Sequence, residues 1–155
     1  MKKILLFAVC LLIAVSASAQ SFKNGDFESG NIEGWYNYKK MRGIKTVDHH
    51  ARSGKYSLEV KGGASNRFTL EKGKYEVTLY CQVVYGTARI TLDKETAPKS
   101  YKFEPMATKD LSVMPDYQPV KFTVKIKDKA NCNIVVAAVN NNATFYVDDI
   151  TVEKK

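Results

Sequence analysis

Hydrophobic and polar residues alternate along most of the chain after residue 20, with the two-residue period of half-buried β-strands. Every second residue is apolar between residues 75 and 83, and the same alternation recurs between residues 120 and 126. Further apolar runs, bounded by turn-forming residues, lie at 57–60, 88–92, 134–139 and 144–152. No window of helical length has a 3.6-residue apolar period. The pattern therefore predicts an all-β domain, either a β-sandwich or a jelly roll.

The least regular part of the chain is the segment 93–119. It contains all four prolines of the sequence, and proline cannot donate a backbone hydrogen bond to a sheet. We expect a long excursion here, with one short strand near residues 101–103.

The first residues have the features of a signal peptide. Lys2 and Lys3 precede an apolar run over residues 4–15, and Ala17 and Ala19 supply the small residues that a signal peptidase requires. The run is too short for a membrane-spanning helix, which needs about 20 residues. The sequence predicts a signal peptide over residues 1–19, cleavage before Gln20, and a single secreted or periplasmic domain over residues 20–155 without a transmembrane segment.

The charge of the chain does not favour nucleic-acid binding. The formal net charge is +8, and removing Lys2 and Lys3 leaves 22 basic residues against 16 acidic ones. The remaining lysines are scattered singly, as at Lys121, Lys125 and Lys127, whereas nucleic-acid binding requires a concentrated basic face. Isolated lysines on strands keep sheets from pairing edge to edge. We expect no nucleic-acid partner.

Residues that could perform catalysis are few. The only two histidines, His49 and His50, are adjacent, and no nucleophile, metalloprotease or phosphate-loop motif is present. A lyase or glycosidase activity would lack an identifiable base, so we predict that the protein is not an enzyme. Cys81 and Cys132 lie in apolar strand patterns, and the sequence leaves open whether they form a disulfide or remain buried thiols.

Five sequence motifs, in order along the chain, resemble those of carbohydrate-binding modules of families four, nine and twenty-two. These motifs are N-G-D-F-E-S-G followed by G-W (24–30 and 34–35), A-R-S-G-K-Y-S-L (51–58), L-x-x-G-x-Y-x-V (70–77), Y-Q-x-x-x-F (117–122) and F-Y-V-D-D-I (145–150). The resemblance covers nearly all of the chain after residue 20. It implies the galactose-binding-like jelly-roll β-sandwich of those modules.

The resemblance also implies a structural calcium ion. Carried over to this chain, the side chains of Glu28 and Asp148 would bind the ion, together with backbone oxygens of Asp26 and Ser53. Carboxylate and carbonyl oxygens are the ligands that Ca²⁺ prefers, in sets of six to eight. The alternative is that Glu28 and Asp149 are solvated and that Asp148 caps the end of a strand.

The outward face of the strand over residues 75–85 is the predicted ligand surface. It carries Tyr80 as an aromatic platform and Gln82 as a hydrogen-bonding amide, with Arg67 and Arg89 as further donors on neighbouring strands. The alternative is an ordinary solvent-facing sheet. Trp35 is expected to pack into the core.

The sequence thus predicts an exported, non-catalytic, carbohydrate-binding protein with a structural calcium ion, whose partner is a poly- or oligosaccharide. The alternative is a structural or protein-interaction module that binds another protein of the cell envelope, because one fold serves several functions.

Overall fold

A computed structural model of the chain describes residues 22–39, 41, 43–140 and 142–155. The predicted signal peptide lies outside these residues. Within the described part of the chain, no helix has the length and apolar character needed to cross a membrane.

Over the described residues, ten β-strands form two antiparallel five-stranded sheets, which confirms the predicted all-β jelly-roll sandwich. The first sheet has the order β1-β4-β9-β6-β7, with bounds Trp35–Asn37, Gly63–Leu70, Ala130–Ala138, Ala88–Glu95 and Phe103–Leu111. The second sheet has the order β2-β3-β10-β5-β8, with bounds Ile44–Val47, Ser57–Lys61, Thr144–Lys154, Gly73–Tyr85 and Gln118–Ile126.

The core between the sheets follows the alternation of the sequence. Along β5 the side chains that point inward are fully or almost fully buried, and they are Tyr75, Val77, Leu79, Cys81 and Val83. β-branched and aromatic residues dominate these positions because they fit a pleated, half-buried surface. Trp35 is buried as predicted, against Phe22 and Phe27. Cys81 and Cys132 are free thiols on opposite sheets, and burial raises their pKa to about 12 and about 11.

Strand β7 corrects the prediction for the segment 93–119. The structure has a nine-residue strand, Phe103–Leu111, where the sequence predicted one short strand within a long excursion. The strand lies at the edge of the first sheet and buries only Leu111, so it lacks the apolar alternation that identifies inner strands. Pro105 is tolerated because it lies next to an irregularity in the pairing with β6.

The register of β5 predicts stability losses of different size for substitutions at two neighbouring residues. Leu79→Ala should lower the free energy of unfolding by about 2–5 kcal/mol, because it removes a fully buried side chain and leaves a cavity. Tyr80→Ala should lower it by about 1 kcal/mol or less, because Tyr80 lies on the outer face. Urea denaturation of both variants checks this expectation. A larger loss for Tyr80→Ala would contradict the register.

Candidate functional site

Two of the four residues predicted to hold calcium, Glu28 and Asp148, contact one loop, residues 51–56, which contains a third, Ser53. The carboxylate of Glu28 accepts hydrogen bonds from the backbone N–H groups of Lys55 (2.9 and 3.0 Å) and Tyr56 (2.8 Å). Gly54 adopts a φ of 60°, and a Cβ atom at this position would lie 2.5 Å from the Glu28 carboxyl carbon. Only glycine fits there, which gives the S-G motif a physical reason.

The adjacent carboxylates of Asp148 and Asp149 reach the same loop. An irregularity in the pairing of β10 with β5 follows Asp148, and Asp149 adopts a φ of 48°. Asp148 accepts N–H bonds from Arg52 (2.8 Å), Ser53 (3.3 Å) and Asp149 (2.8 Å), while Asp149 accepts bonds from the side chains of Arg52 and Ser53. Burial raises the pKa of Asp148 to about 6, against the opposing effect of its N–H donors.

In this arrangement the predicted calcium ligands Glu28 and Asp148 bind N–H groups of the protein. Both carboxylate oxygens of Glu28 and of Asp148 face N–H donors, whereas Ca²⁺ needs six to eight oxygen ligands. The Asp26 carboxylate accepts the N–H of Glu28 at 3.3 Å. In the described ranges, no three or more His, Cys, Asp or Glu side chains are grouped to hold a metal. The loop as described is fixed by carboxylates and backbone N–H groups.

The predicted ligand residues are divided between the two sheets. Tyr80 and Gln82 point outward from the second sheet, as the alternation predicted, but neighbouring groups cover them. The guanidinium carbon of Arg52 lies 3.4 Å from the centre of the Tyr80 ring, and the Gln82 amide donates to the carbonyl of Pro115. Arg89 lies on β6 of the first sheet, where Asp110 binds its guanidinium through two 2.7 Å hydrogen bonds.

Arg67, on the outer face of the first sheet, belongs to a row of polar residues. Arg67 on β4 lies opposite Asn133 on β9, and Asn133 lies opposite Asp93 on β6. Three neighbouring strands thus bring a guanidinium, an amide and a carboxylate side by side, because residues in register on adjacent strands share one face.

This polar row lines an open cleft of about 960 Å³. Aromatic residues contribute to its wall, and they are Tyr36, Tyr38, Tyr101 and Phe103. Tyr36 follows the buried Trp35 on β1 and is 62% exposed. The Arg67 guanidinium lies 5.3 Å from the centre of the Phe103 ring.

The polar atoms of the cleft are partly dehydrated. Asn133 is only 5% exposed, and among the described residues its Oδ1 atom has no hydrogen-bond partner. Leaving such an acceptor unpaired costs about 1–3 kcal/mol, so a water molecule or a ligand hydroxyl group is expected there. Burial raises the pKa of Asp93, while nearby Lys39 acts in the opposite direction. The cleft therefore offers acceptors and donors between exposed aromatic rings.

The sequence analysis named Arg67 as a donor beside Tyr80 and Gln82, on the other sheet, and it missed this cleft. Two signals were available: Asn131 and Asn133 interrupt an otherwise apolar strand at alternate positions, and Tyr36 and Asn37 follow the predicted core residue Trp35. Neither signal shows which strands are neighbours. The cleft depends on the pairing of β4, β9 and β6, which are distant in sequence.

The comparisons with known proteins show likeness in structure only. No protein-family model and no curated protein matches the chain. The solved module TmCBM61, in complex with β-1,4-galactotriose, has a TM-score of 0.64 and 15% identity, over 89% of this chain and 100% of that one. The CBM22-1 xylan-binding domain of Paenibacillus barcinonensis Xyn10C has a TM-score of 0.68 and 14% identity, over 84% and 91%. A family 4 module has a TM-score of 0.59 and 16% identity, over 87% and 100%. The chain therefore has the jelly-roll fold of carbohydrate-binding modules, as its sequence motifs implied.

Proposed function

We propose that this chain is a non-catalytic carbohydrate-binding protein and that its ligand lies in the cleft of the first sheet. The observation that carries the proposal is the unpartnered Oδ1 atom of Asn133, buried in register between Arg67 and Asp93. A hydroxyl group of a sugar would supply the missing donor. The solved modules of the same fold, named as bound to galactotriose or as xylan-binding, support this class of ligand.

The chemistry of the cleft matches that of a sugar ring. A pyranose has apolar C–H faces, which pack on aromatic rings, and a rim of hydroxyl groups, which both donate and accept hydrogen bonds. Tyr36 and Tyr101 provide exposed rings. The Asp93 carboxylate can accept hydrogen bonds from hydroxyl groups, and the Arg67 guanidinium, which lies over Phe103, can donate them.

The face around Tyr80 and Gln82 is the competing ligand surface. Arg52 covers the Tyr80 ring, and the Gln82 amide donates to Pro115, so a ligand would first have to displace protein groups. At the cleft, the rings of Tyr36 and Tyr101 are already exposed, and the buried acceptor has no protein partner among the described residues. Cleft binding also distinguishes a sugar ligand from the envelope-protein alternative, which calls for a broad surface.

Export and calcium binding belong to the same proposal. The apolar N-terminal segment of the sequence supports export to the periplasm or the cell exterior. For calcium, the support is that Glu28 and Asp148 meet at one loop, residues 51–56, as the sequence resemblance implied. To bind at these carboxylates, calcium would have to take the place of the N–H groups that now donate hydrogen bonds to them. Further oxygen atoms would have to complete its coordination.

Cleft variants should separate the two candidate ligand surfaces. Asp93→Asn and Tyr36→Ala should each weaken glycan binding by about 1–3 kcal/mol, because one loses a charged acceptor and the other an aromatic platform. Acidification should weaken binding by the wild type, because protonation of Asp93 removes the same acceptor, and Asp93→Asn should lack this pH dependence. A glycan array, followed by isothermal titration calorimetry at several pH values, measures these effects.

Two variants outside the cleft serve as controls for this experiment. Tyr80→Ala tests the competing surface, and Asp110→Asn removes a carboxylate of the first sheet that binds Arg89. Both should bind the glycan like the wild type. Loss of binding in Tyr80→Ala with full binding in the cleft variants would move the ligand to the second sheet. A wild type that binds no glycan would favour the protein-interaction alternative.

The calcium proposal predicts a response to metal that depends on Glu28 and Asp148. Adding Ca²⁺ at 100 times its dissociation constant should stabilise the wild type by about 2.7 kcal/mol, and EDTA should reverse this effect. Glu28→Gln and Asp148→Asn should abolish the response. Thermal unfolding of metal-free protein with and without Ca²⁺ is the measurement. Identical unfolding curves would show that the carboxylates hold loop 51–56 without a metal.

A further inference from the structure

A large aromatic side chain, Tyr101, stands exposed at the cleft in an unfavourable backbone conformation. Its side chain is 74% exposed, and its φ of 54° lies in the left-handed region. L-residues with a Cβ atom avoid this region, and non-glycine residues found there mark strain that the surrounding structure must hold. Tyr101 follows a second residue with positive φ, Lys99, in the connection between β6 and β7.

A buried carboxylate holds Tyr101 in this conformation. Glu95, at the end of β6, is 8% exposed, and its Oε1 atom accepts the backbone N–H of Tyr101 at 2.8 Å. Its Oε2 atom accepts the side-chain amide of Asn131 on β9 at 2.7 Å. These two hydrogen bonds hold the pKa of Glu95 below its usual value, and the one from Asn131 has the larger effect. Glu95 thereby links the strained residue to a central strand of the first sheet.

Backbone hydrogen bonds close the rest of the connection. Thr96 donates its N–H to the carbonyl of Lys102 at 2.9 Å, and Ser100 donates to Ala97 at 3.0 Å. Tyr101 lies within this closed turn and lines the cleft beside Arg67 and Phe103. An exposed apolar ring in a strained position contributes little to the core, so its place at the cleft calls for a reason other than stability.

We propose that Glu95 is a positioning residue that holds Tyr101 as a preformed aromatic wall for the glycan. This inference rests on the proposed function of the cleft. The strain at Tyr101 is compatible with folding because Glu95 and Asn131 fix the connection. A ring that is already in place loses little freedom when a ligand binds, and this raises the affinity.

Two substitutions of Tyr101 test whether the ring serves binding at the expense of stability. Tyr101→Gly and Tyr101→Ala should both weaken binding about tenfold, because both remove the ring. Tyr101→Gly should melt above Tyr101→Ala, because glycine adopts positive φ without strain. Tyr101→Phe keeps the ring and should bind like the wild type. The probes are soluble xylan and β-1,4-galactotriose, measured by affinity electrophoresis and calorimetry, with thermal unfolding of each variant.

A double-mutant cycle tests the role of Glu95. Glu95→Gln should weaken binding about tenfold, because a glutamine side chain presents only one oxygen to two N–H donors. In the Tyr101→Gly background, Glu95→Gln should have no further effect on affinity, because Glu95 acts through the Tyr101 ring. Glu104→Gln, which removes an exposed carboxylate that pairs with Lys94, is the matched control and should bind normally. If Glu95→Gln does not fold, Asn131→Ala is used in the cycle instead. This substitution lies at an exposed position and removes one hydrogen-bond donor to Glu95.

The outcomes separate the two levels of the proposal. Binding by the wild type together with undiminished binding by Tyr101→Gly and Glu95→Gln overturns the positioning role and leaves the glycan cleft intact. Additive losses in the double mutant overturn the route through Tyr101. If Tyr101→Gly melts below Tyr101→Ala, the inference that the backbone at residue 101 is strained is wrong. A wild type that binds neither probe nor any glycan of a wider array overturns the proposed function and the positioning role with it.

Discussion

Burial of the inner faces of the two sheets is the constraint on which the rest of this structure depends. Most strands direct alternate side chains into the space between the sheets, and Leu58, Val77, Ile90 and Ile134 are fully buried there. Burying such a side chain contributes about 1.5–3 kcal/mol, so these positions accept only apolar residues. Polar side chains therefore lie mainly on the outer faces and in the connections between strands.

Carboxylates fix those connections in one recurring way. Glu28 accepts N–H groups of residues 55 and 56, Asp148 accepts those of residues 52 and 53, and Glu95 accepts that of Tyr101. A loop residue that leaves the sheet loses its ladder partner, and a carboxylate supplies a strong, charged acceptor in its place. The residues that resemble calcium ligands and the residue that holds Tyr101 thus perform the same physical task in two different connections.

The two outer faces of the sandwich differ because of what covers them. On the second sheet, His50 stacks on the ring of Tyr146 with 4.0 Å between the ring centres, Tyr117 donates to the His50 carbonyl at 2.5 Å, and Arg52 lies over Tyr80. These contacts cover part of that face with groups of the protein itself. On the first sheet, the row through Asn133 retains an acceptor without a protein partner among the described residues. This difference in cover is why we prefer the cleft, rather than the tyrosine face of β5, as the candidate for ligand binding.

The sequence alone determined the fold class, most strand positions, the inward direction of Trp35 and the outward direction of Tyr80, because alternation and turn residues are local properties. The resemblance of its motifs also led us to expect Glu28 and Asp148 at one site, and in the structure both contact loop 51–56. The sequence did not reveal β7, because an edge strand buries too few side chains to show alternation. Only the tertiary structure placed Arg67, Asn133 and Asp93 in one row, because that row depends on which distant strands pair and in which register. The contact of Arg52 with the Tyr80 ring and the hydrogen bond from Tyr101 to Glu95 were likewise not predicted, because no local sequence pattern indicates them.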